Sequence, residues 1–85
     1  MKYALIIKKS AEKELLALPR ESAFKIKGAI DALAHNPRPK GCKKLSGKTD
    51  DYRIRIGSYR VVYTISDAEV VVWVIKVAHR KEVYR

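Results

Sequence analysis

The chain has 85 residues and a formal net charge of +10 at pH 7, and 47% of its residues are hydrophobic. This length fits one domain, and the apolar content excludes an intrinsically disordered chain. We therefore expect a single domain over residues 1–85 with a polyanionic partner: nucleic acid, an acidic protein or an anionic membrane surface. The cations are concentrated, because the segment from Arg38 to Arg60 contains eight Lys or Arg residues.

The N-terminal apolar run is too short to direct export. Four apolar residues, Ala4–Ile7, are followed by Lys8 and Lys9, which is far less than a signal peptide needs. The run VVVWVI is likewise well below the ~20 residues that span a bilayer. Because Cys42 is the single cysteine, an intrachain disulfide is impossible. We expect a soluble cytoplasmic protein that does not contact a membrane.

The N-terminal part predicts one strand and two helices. Tyr3–Ile7 is a short strand, and Ser10 is a candidate N-cap for a helix over Ala11–Leu18. The second helix covers Glu21–Ala34, because apolar residues recur there at i, i+3, i+4 and i+7. Gly28 lies inside this helix. We attribute it to a close approach of the two helices.

Three strands follow the basic segment 36–51. They are predicted over Tyr52–Ile56, Tyr59–Ile65 and Val70–Val77, where apolar and polar residues alternate or β-branched residues accumulate. The element order is therefore β-α-α-β-β-β. This order predicts an α+β fold in which an antiparallel β-sheet has an N-terminal helical hairpin packed on one face.

The segment DYRIRIGSYR carries the functional prediction. Its alternating runs are separated by Gly57-Ser58, which predicts a hairpin with a two-residue loop. Arg55 then lies opposite Arg60, and both share one sheet face with Arg53. Like charges placed opposite each other are destabilising, so we expect an anion to bind there. The alternative, a solvated charged surface without function, stays open.

The second turn determines where the C-terminal residues lie. If its loop is the two residues Asp67-Ala68, Arg60 faces Ile75, and the chain leaving the last strand emerges beside the Gly57-Ser58 turn. Arg80 and Tyr84 then become candidates for the same site. A four-residue loop would shift this register.

The runs KLSG, YRIRIGSYRVVY and HRKEVYR resemble the RelE/ParE superfamily of prokaryotic toxins, and the resemblance covers nearly the whole chain. It implies this same β-α-α-β-β-β order. RelE-type members cleave messenger RNA in the ribosomal A site. By this resemblance the catalytic positions match Arg53 and Arg55 on the second strand, Arg60 on the third, Arg80 after the fourth, and the late Tyr84.

The resemblance also implies a chemistry without metal or cofactor: the RNA 2′-hydroxyl attacks the adjacent phosphorus. Arg60 would clamp the phosphate, Arg80 would stabilise the leaving oxygen, and Tyr84 would stack on a base or orient the hydroxyl. The best-known RelE-type members carry lysines where this chain has Arg53 and Arg55. An arginine, with a pKa of roughly 12.5–13.8, is a poor base, so the general base stays open.

The partners implied are a small acidic RelB-like antitoxin, in a toxin–antitoxin hetero-oligomer, and the ribosome with its messenger RNA. Lys43, Lys44 and Lys48 are candidates for non-specific contact with ribosomal RNA, or for none. One cysteine and two distant histidines form no recognisable metal site. Two other functions stay open: a ParE-like inhibitor of DNA gyrase without nuclease activity, and a non-catalytic RNA-binding domain.

Overall fold

A computed structural model describes residues 2–79 of the chain, which form one five-stranded sheet and two helices. The spatial order of the strands is β1-β5-β4-β3-β2. No helix in this range is long and apolar enough to cross a membrane. The elements are β1 (Ala4–Ile7), α1 (Lys9–Leu16), α2 (Arg20–Leu33), β2 (Lys43–Lys44), β3 (Asp51–Ile56), β4 (Tyr59–Ser66) and β5 (Val71–His79).

The predicted α+β fold with a helical pair on one sheet face is confirmed, with two differences in the sheet. The basic segment contributes an additional short strand, β2, which pairs with β3. The first strand joins the sheet parallel to β5, with Ala4 opposite Val71, so the sheet is mixed rather than purely antiparallel. A parallel pair needs a long crossover connection, and the helices are part of it.

The core lies between the helical pair and one face of the sheet, here called the covered face. Ile26, Ile30 and Leu33 of α2 are almost completely buried, at the spacing that places side chains on one side of a helix. Tyr63 on β4 is also fully buried, and its hydroxyl donates a 2.7 Å hydrogen bond to the carbonyl of Pro37. Burial raises the pKa of Tyr63. The opposite face of the sheet, here called the open face, carries no helix among the described residues.

The first helix begins at Lys9, so the predicted N-cap at Ser10 is wrong. The N-cap residue is Lys8, which makes no side-chain capping bond. The reason is tertiary, because the backbone N–H of Lys8 donates to the carbonyl of Val74 at 2.9 Å and so continues the pairing of β1 with β5. The helix starts directly where this pairing ends, and a sequence-local capping signal two residues later is overridden.

The register between β4 and β5 differs from the prediction by two residues next to the connecting loop and by three residues at Arg60. The connecting loop has four residues, 67–70, and Ile75 is an extra residue in β5 opposite the Val62–Tyr63 step. Arg60 consequently lies opposite Ala78 rather than Ile75. The strand still ends beside the first hairpin turn, because His79 lies opposite Tyr59.

Glu14 of α1 stabilises this irregularity. Its carboxylate accepts a 3.0 Å hydrogen bond from the backbone N–H of Val77 and lies 3.2 Å from the ammonium of Lys76. Beyond Val74, this edge of β5 has no neighbouring strand among residues 2–79, since its pairing with β1 ends there. Glu14 therefore satisfies a backbone donor that would otherwise be exposed at a β-bulge.

Gly28 does not mark a helix contact, and the predicted close approach is wrong. It is exposed, and a Cβ atom built on it would meet no atom within 4 Å. Because glycine is about 1 kcal/mol less favourable than alanine inside a helix, we expect Gly28→Ala to raise the free energy of unfolding by about that amount. Urea unfolding measures it, and the reciprocal change at an exposed position of the same helix, Ala32→Gly, should lower stability similarly. A destabilising Gly28→Ala would contradict this account.

Candidate anion-binding site on the open sheet face

The β3–β4 hairpin has the predicted register. Gly57 adopts a φ of +61°, which suits the first central position of a two-residue hairpin turn. Arg55 pairs with Arg60, and Arg53 pairs with Val62. Because the residues between them, such as Ile54, belong to the core on the covered face, all three arginines lie on the open face.

Two of the three arginines are buried, which the sequence did not indicate. Arg53 and Arg60 are each only 4% exposed, whereas Arg55 is exposed. Charged side chains are rarely this buried unless they are paired, and both residues have interacting partners. Arg53 and Arg60 are therefore packed into the sheet surface rather than extended into solvent. Electrostatic interactions are also stronger at such partly desolvated positions than in bulk water.

The three candidate lysines lie in different places. Lys43 pairs with Arg53 and so extends the arginine row on the open face. Lys44 pairs with Tyr52 on the covered side, 6.0 Å from the centre of its ring, and its ammonium lies 3.8 Å from Asp50. The exposed Lys48 belongs to the loop before β3. The structure therefore brings Lys43 to the arginines.

The C-terminal candidates, Arg80 and Tyr84, lie outside the described residues. The last described residue is His79, whose ring makes an edge contact with that of Tyr59 at a centroid distance of 5.7 Å. Sequence reasoning also missed Lys76, which lies opposite Val62 in the observed register. The predicted register put it opposite Tyr59, and no sequence signal revealed the extra residue in β5.

The site can bind and stabilise a phosphate group. Its described members offer charged N–H donors, and an arginine can grip phosphate oxygens in a bidentate manner. Among residues 2–79, no three His, Cys, Asp or Glu side chains are grouped so that they could hold a metal ion. Asp51, the carboxylate of β3 on this face, accepts hydrogen bonds from the hydroxyls of Thr49 and Thr64.

A second polar cluster lies at the other end of β4 and ties four segments of the chain together. Arg38 donates to both carboxylate oxygens of Asp67, at 3.3 and 2.9 Å, and its Nε donates to the hydroxyl of Tyr52. Tyr3 donates a 2.7 Å hydrogen bond to the same carboxylate. These bonds from Arg38 and Tyr3 lower the pKa of Asp67, whereas the bond to Asp67 raises the pKa of Tyr3. This cluster connects loops rather than forming part of the arginine site.

The lowered pKa of Asp67 predicts how acid affects stability. The ionised carboxylate stabilises the folded chain above its ordinary pKa of about 4, and this contribution disappears as the pH falls through the lowered folded value. We expect Asp67→Asn to melt at a lower temperature than the wild type at pH 7. The difference should shrink at pH 3 and below. Asp31→Asn, which breaks one exposed pair with Lys27, controls for the loss of a surface charge. A difference that grew in acid would refute the assignment.

The sequence and the fold both have close relatives among known toxins. Residues 5–84 match the family model described as ParE toxin of type II toxin-antitoxin system, parDE. A candidate toxin of Methanocaldococcus jannaschii named RelE1 is 34% identical over 88 residues, which covers 100% of this chain and 98% of that protein.

Solved structures of RelE proteins share the fold of this chain. The archaeal RelE–RelB complex from Pyrococcus horikoshii OT3 contains a chain with a TM-score of 0.83 and 32% identity, covering 94% of this chain and 97% of the other. The intact RelBE toxin–antitoxin complex of E. coli gives a TM-score of 0.78 and 34% identity, with coverage of 91% and 95%. The fold is thus RelE-like. On the family match, the sequence identity and the shared fold, this chain belongs to the RelE/ParE superfamily of toxins from type II toxin–antitoxin systems.

Proposed function

We propose that the chain is a RelE-type toxin that cleaves messenger RNA on the ribosome and so inhibits translation. The observation that carries this proposal is the row of cations on the open face: Arg55 opposite Arg60, and Lys43 opposite Arg53. The two relatives of known structure described above are RelE proteins, which supports the RNA-cleaving branch of the superfamily. The enzyme would be an endoribonuclease of the cytoplasm, where ribosomes are found.

The proposed reaction is a transesterification within the RNA. The 2′-oxygen bonds to the adjacent phosphorus and loses its proton, while the bond from phosphorus to the 5′-oxygen breaks and that oxygen gains a proton. The products are a 2′,3′-cyclic phosphate and a 5′-hydroxyl end. The protein must hold the 2′-oxygen and the leaving oxygen in line and offset the negative charge that builds up on the phosphorane.

The arginines divide this work by their positions. Arg60, which lies opposite Arg55, is suited to clamp the phosphate that reacts, because a planar guanidinium can grip phosphate oxygens in a bidentate manner. Arg55 is exposed and can make the first contact with the RNA backbone. Arg53 extends the positive row along β3, and Lys43 extends it onto the neighbouring strand β2. The roles of Arg80 and Tyr84, at the leaving oxygen and at the base or 2′-hydroxyl, rest on the resemblance.

The lack of a good base explains why this enzyme would need the ribosome. Arginine is a poor proton acceptor at neutral pH. A ribosome that holds the message in line compensates for it, since precise positioning can supply effective molarities of ~10⁵ M or more. Free RNA should therefore be cut poorly.

The partner that restrains this activity is a small acidic RelB-like antitoxin in a hetero-oligomeric complex. The relatives from P. horikoshii and E. coli are seen in complexes with RelB. A chain of net charge +10 favours fast association with an acidic protein, because complementary charge steers the encounter.

A second function, inhibition of DNA gyrase, is favoured by the name of the matching family model, which is ParE. The basic open face would then dock onto protein rather than RNA. Inducible expression separates the possibilities: transcript 5′ ends are mapped, and a supercoiling assay with purified gyrase is run in parallel. Codon-phased cuts with unaffected supercoiling support the nuclease. Double-strand breaks and inhibited supercoiling support the gyrase function. If neither effect is observed, the chain is a domain that only binds RNA.

A further inference from the structure

One end of the open face carries an exposed apolar pair that the proposed cleavage reaction does not use. Trp73 is 43% exposed and Ile6 is 39% exposed, and they lie opposite each other on β5 and β1. Because Val72 and Val74 belong to the core on the covered face, the side chain of Trp73 between them lies on the open face. The indole is therefore presented on the sheet surface and does not fill the core.

The cations of the open face lie further along the strands. Trp73 lies opposite Thr64, which is four residues from Arg60 on β4, a separation of about 13 Å along an extended strand. Asp51 lies opposite Thr64 and accepts a hydrogen bond from its hydroxyl. This carboxylate disfavours a phosphate at the apolar end, because like charges repel. The open face thus offers cations at one end and a site for a neutral, apolar group at the other.

A nucleobase has the chemistry that fits the apolar end. Proteins that bind single-stranded RNA combine a basic surface for the backbone with aromatic side chains on which bases stack. A strand whose phosphate contacts Arg55 and Arg60 can place the base of a nearby nucleotide on Trp73, because all three residues lie on one face of the same sheet. A second copy of this chain is disfavoured at this patch, since each copy carries a net charge of +10.

We propose that Trp73, with Ile6 beside it, is a stacking platform for an unpaired base of the message, close to the nucleotide that reacts. The proposal rests on the proposed function, because it takes RNA as the ligand of the arginines. Every base has a π-face, so stacking tolerates different bases. The platform would therefore add affinity and hold the strand against the sheet without selecting the codon.

The emission of Trp73 reports the proposed contact, because this is the only tryptophan in the chain. The probe is an RNA of about six nucleotides with 2′-O-methyl groups throughout, which lacks the attacking hydroxyl and cannot be cleaved by the proposed reaction. We expect the probe to quench the emission at low salt, where phosphate contacts are strong. A probe with the same phosphates but no bases should bind about tenfold more weakly and leave the emission unchanged.

Anisotropy of a fluorescein-labelled probe measures the affinity of variants. Trp73→Leu keeps an apolar side chain but loses the ring, so it should weaken binding about tenfold, whereas Trp73→Phe should recover part of the loss. The matched control is Phe24→Leu, which removes a ring that is 81% exposed on the helical side instead. It should leave the affinity unchanged. Thermal melting should show that all variants fold, and the comparison of the two probes on the wild-type chain needs no variant.

The proposal is overturned if both probes quench the emission of Trp73 equally. It is also overturned if Trp73→Leu binds the probe as tightly as the wild type, which would assign the patch to a protein partner. An emission that shifts with protein concentration in the absence of RNA would overturn it too, because a second copy would then cover the indole. The assay measures no cleavage, so a chain that failed to cut RNA on ribosomes would refute the proposed nuclease and leave this test valid.

Discussion

Replacing Arg60 with alanine should slow RNA cleavage by a factor on the order of 10²–10³, the usual effect of removing a preorganised transition-state donor. The side chain is only 4% exposed, so the same change should also lower the free energy of unfolding, through an empty cavity and the groups left without the guanidinium. Single-turnover cleavage of RNA in the A site of purified ribosomes measures the first effect, and urea unfolding the second.

The control for Arg60 is a conservative change at the same position. Arg60→Lys keeps the positive charge but loses the planar, bidentate donor, so its rate should fall between those of wild type and the alanine variant. Lys9→Ala removes an exposed positive charge on α1 and should leave cleavage unchanged. A folded Arg60→Ala protein that cleaved at the wild-type rate would remove Arg60 from the proposed site.

Replacing Arg55 with glutamine should separate function from stability. This side chain is exposed and faces Arg60 across the strands, so its loss removes a like-charge contact. We expect stability to stay unchanged or to rise by roughly 0.2–1 kcal/mol, while cleavage falls by on the order of 10². The same ribosome assay and urea unfolding measure both quantities.

The Arg55→Gln variant distinguishes a wrong placement of Arg55 in the fold from a wrong assignment of its function. A loss of several kcal/mol in stability would show that Arg55 is not a surface residue of the open face. Unchanged cleavage with unchanged stability would instead show that the exposed part of the row is only a solvated charged surface. Lys40→Gln, an exposed charge near Arg55 in the cleft beside α2, serves as the local control.

The hairpin with the arginines could be predicted because its register depends on local chemistry. A two-residue loop that begins with glycine admits few turn geometries, and the alternating pattern leaves only one register that buries the apolar face. Arg55 opposite Arg60 follows from these constraints alone. The same reasoning gave the number and order of the two helices and the strands β1, β3, β4 and β5.

The β4–β5 register could not be predicted, because non-local contacts determine it. Val70 adopts a φ of +58°, a conformation that a β-branched residue rarely takes and that no local pattern indicates. The extra residue at Ile75 is supported by Glu14, more than sixty positions away in the sequence. The parallel pairing of β1 with β5 is likewise a tertiary choice, as is the start of α1 at Lys9.

The burial of Arg53 and Arg60 is the feature of the site that the sequence predicted least well. Alternation places their side chains on the open face, but it does not reveal whether that face is solvated there. Both residues are almost inaccessible, while Arg55, two positions from Arg53, is exposed. Periodicity predicts the sheet face on which a side chain lies, but it does not predict how far neighbouring groups bury that side chain. The sequence therefore named Arg53 and Arg60 as candidates, and the structure added that they are buried.

The chemistry of the cut ends tests the proposed function most directly. RNA cleaved on ribosomes by the purified wild-type chain should carry a 5′-hydroxyl, which polynucleotide kinase labels without prior phosphatase treatment, and a 2′,3′-cyclic phosphate. The cuts should occur in the A-site codon. Cleavage of the same RNA free in solution should be far slower. Fragments with a 5′-phosphate and a 3′-hydroxyl would mean that water, not the RNA's own 2′-hydroxyl, attacks the phosphorus, and they would contradict the account.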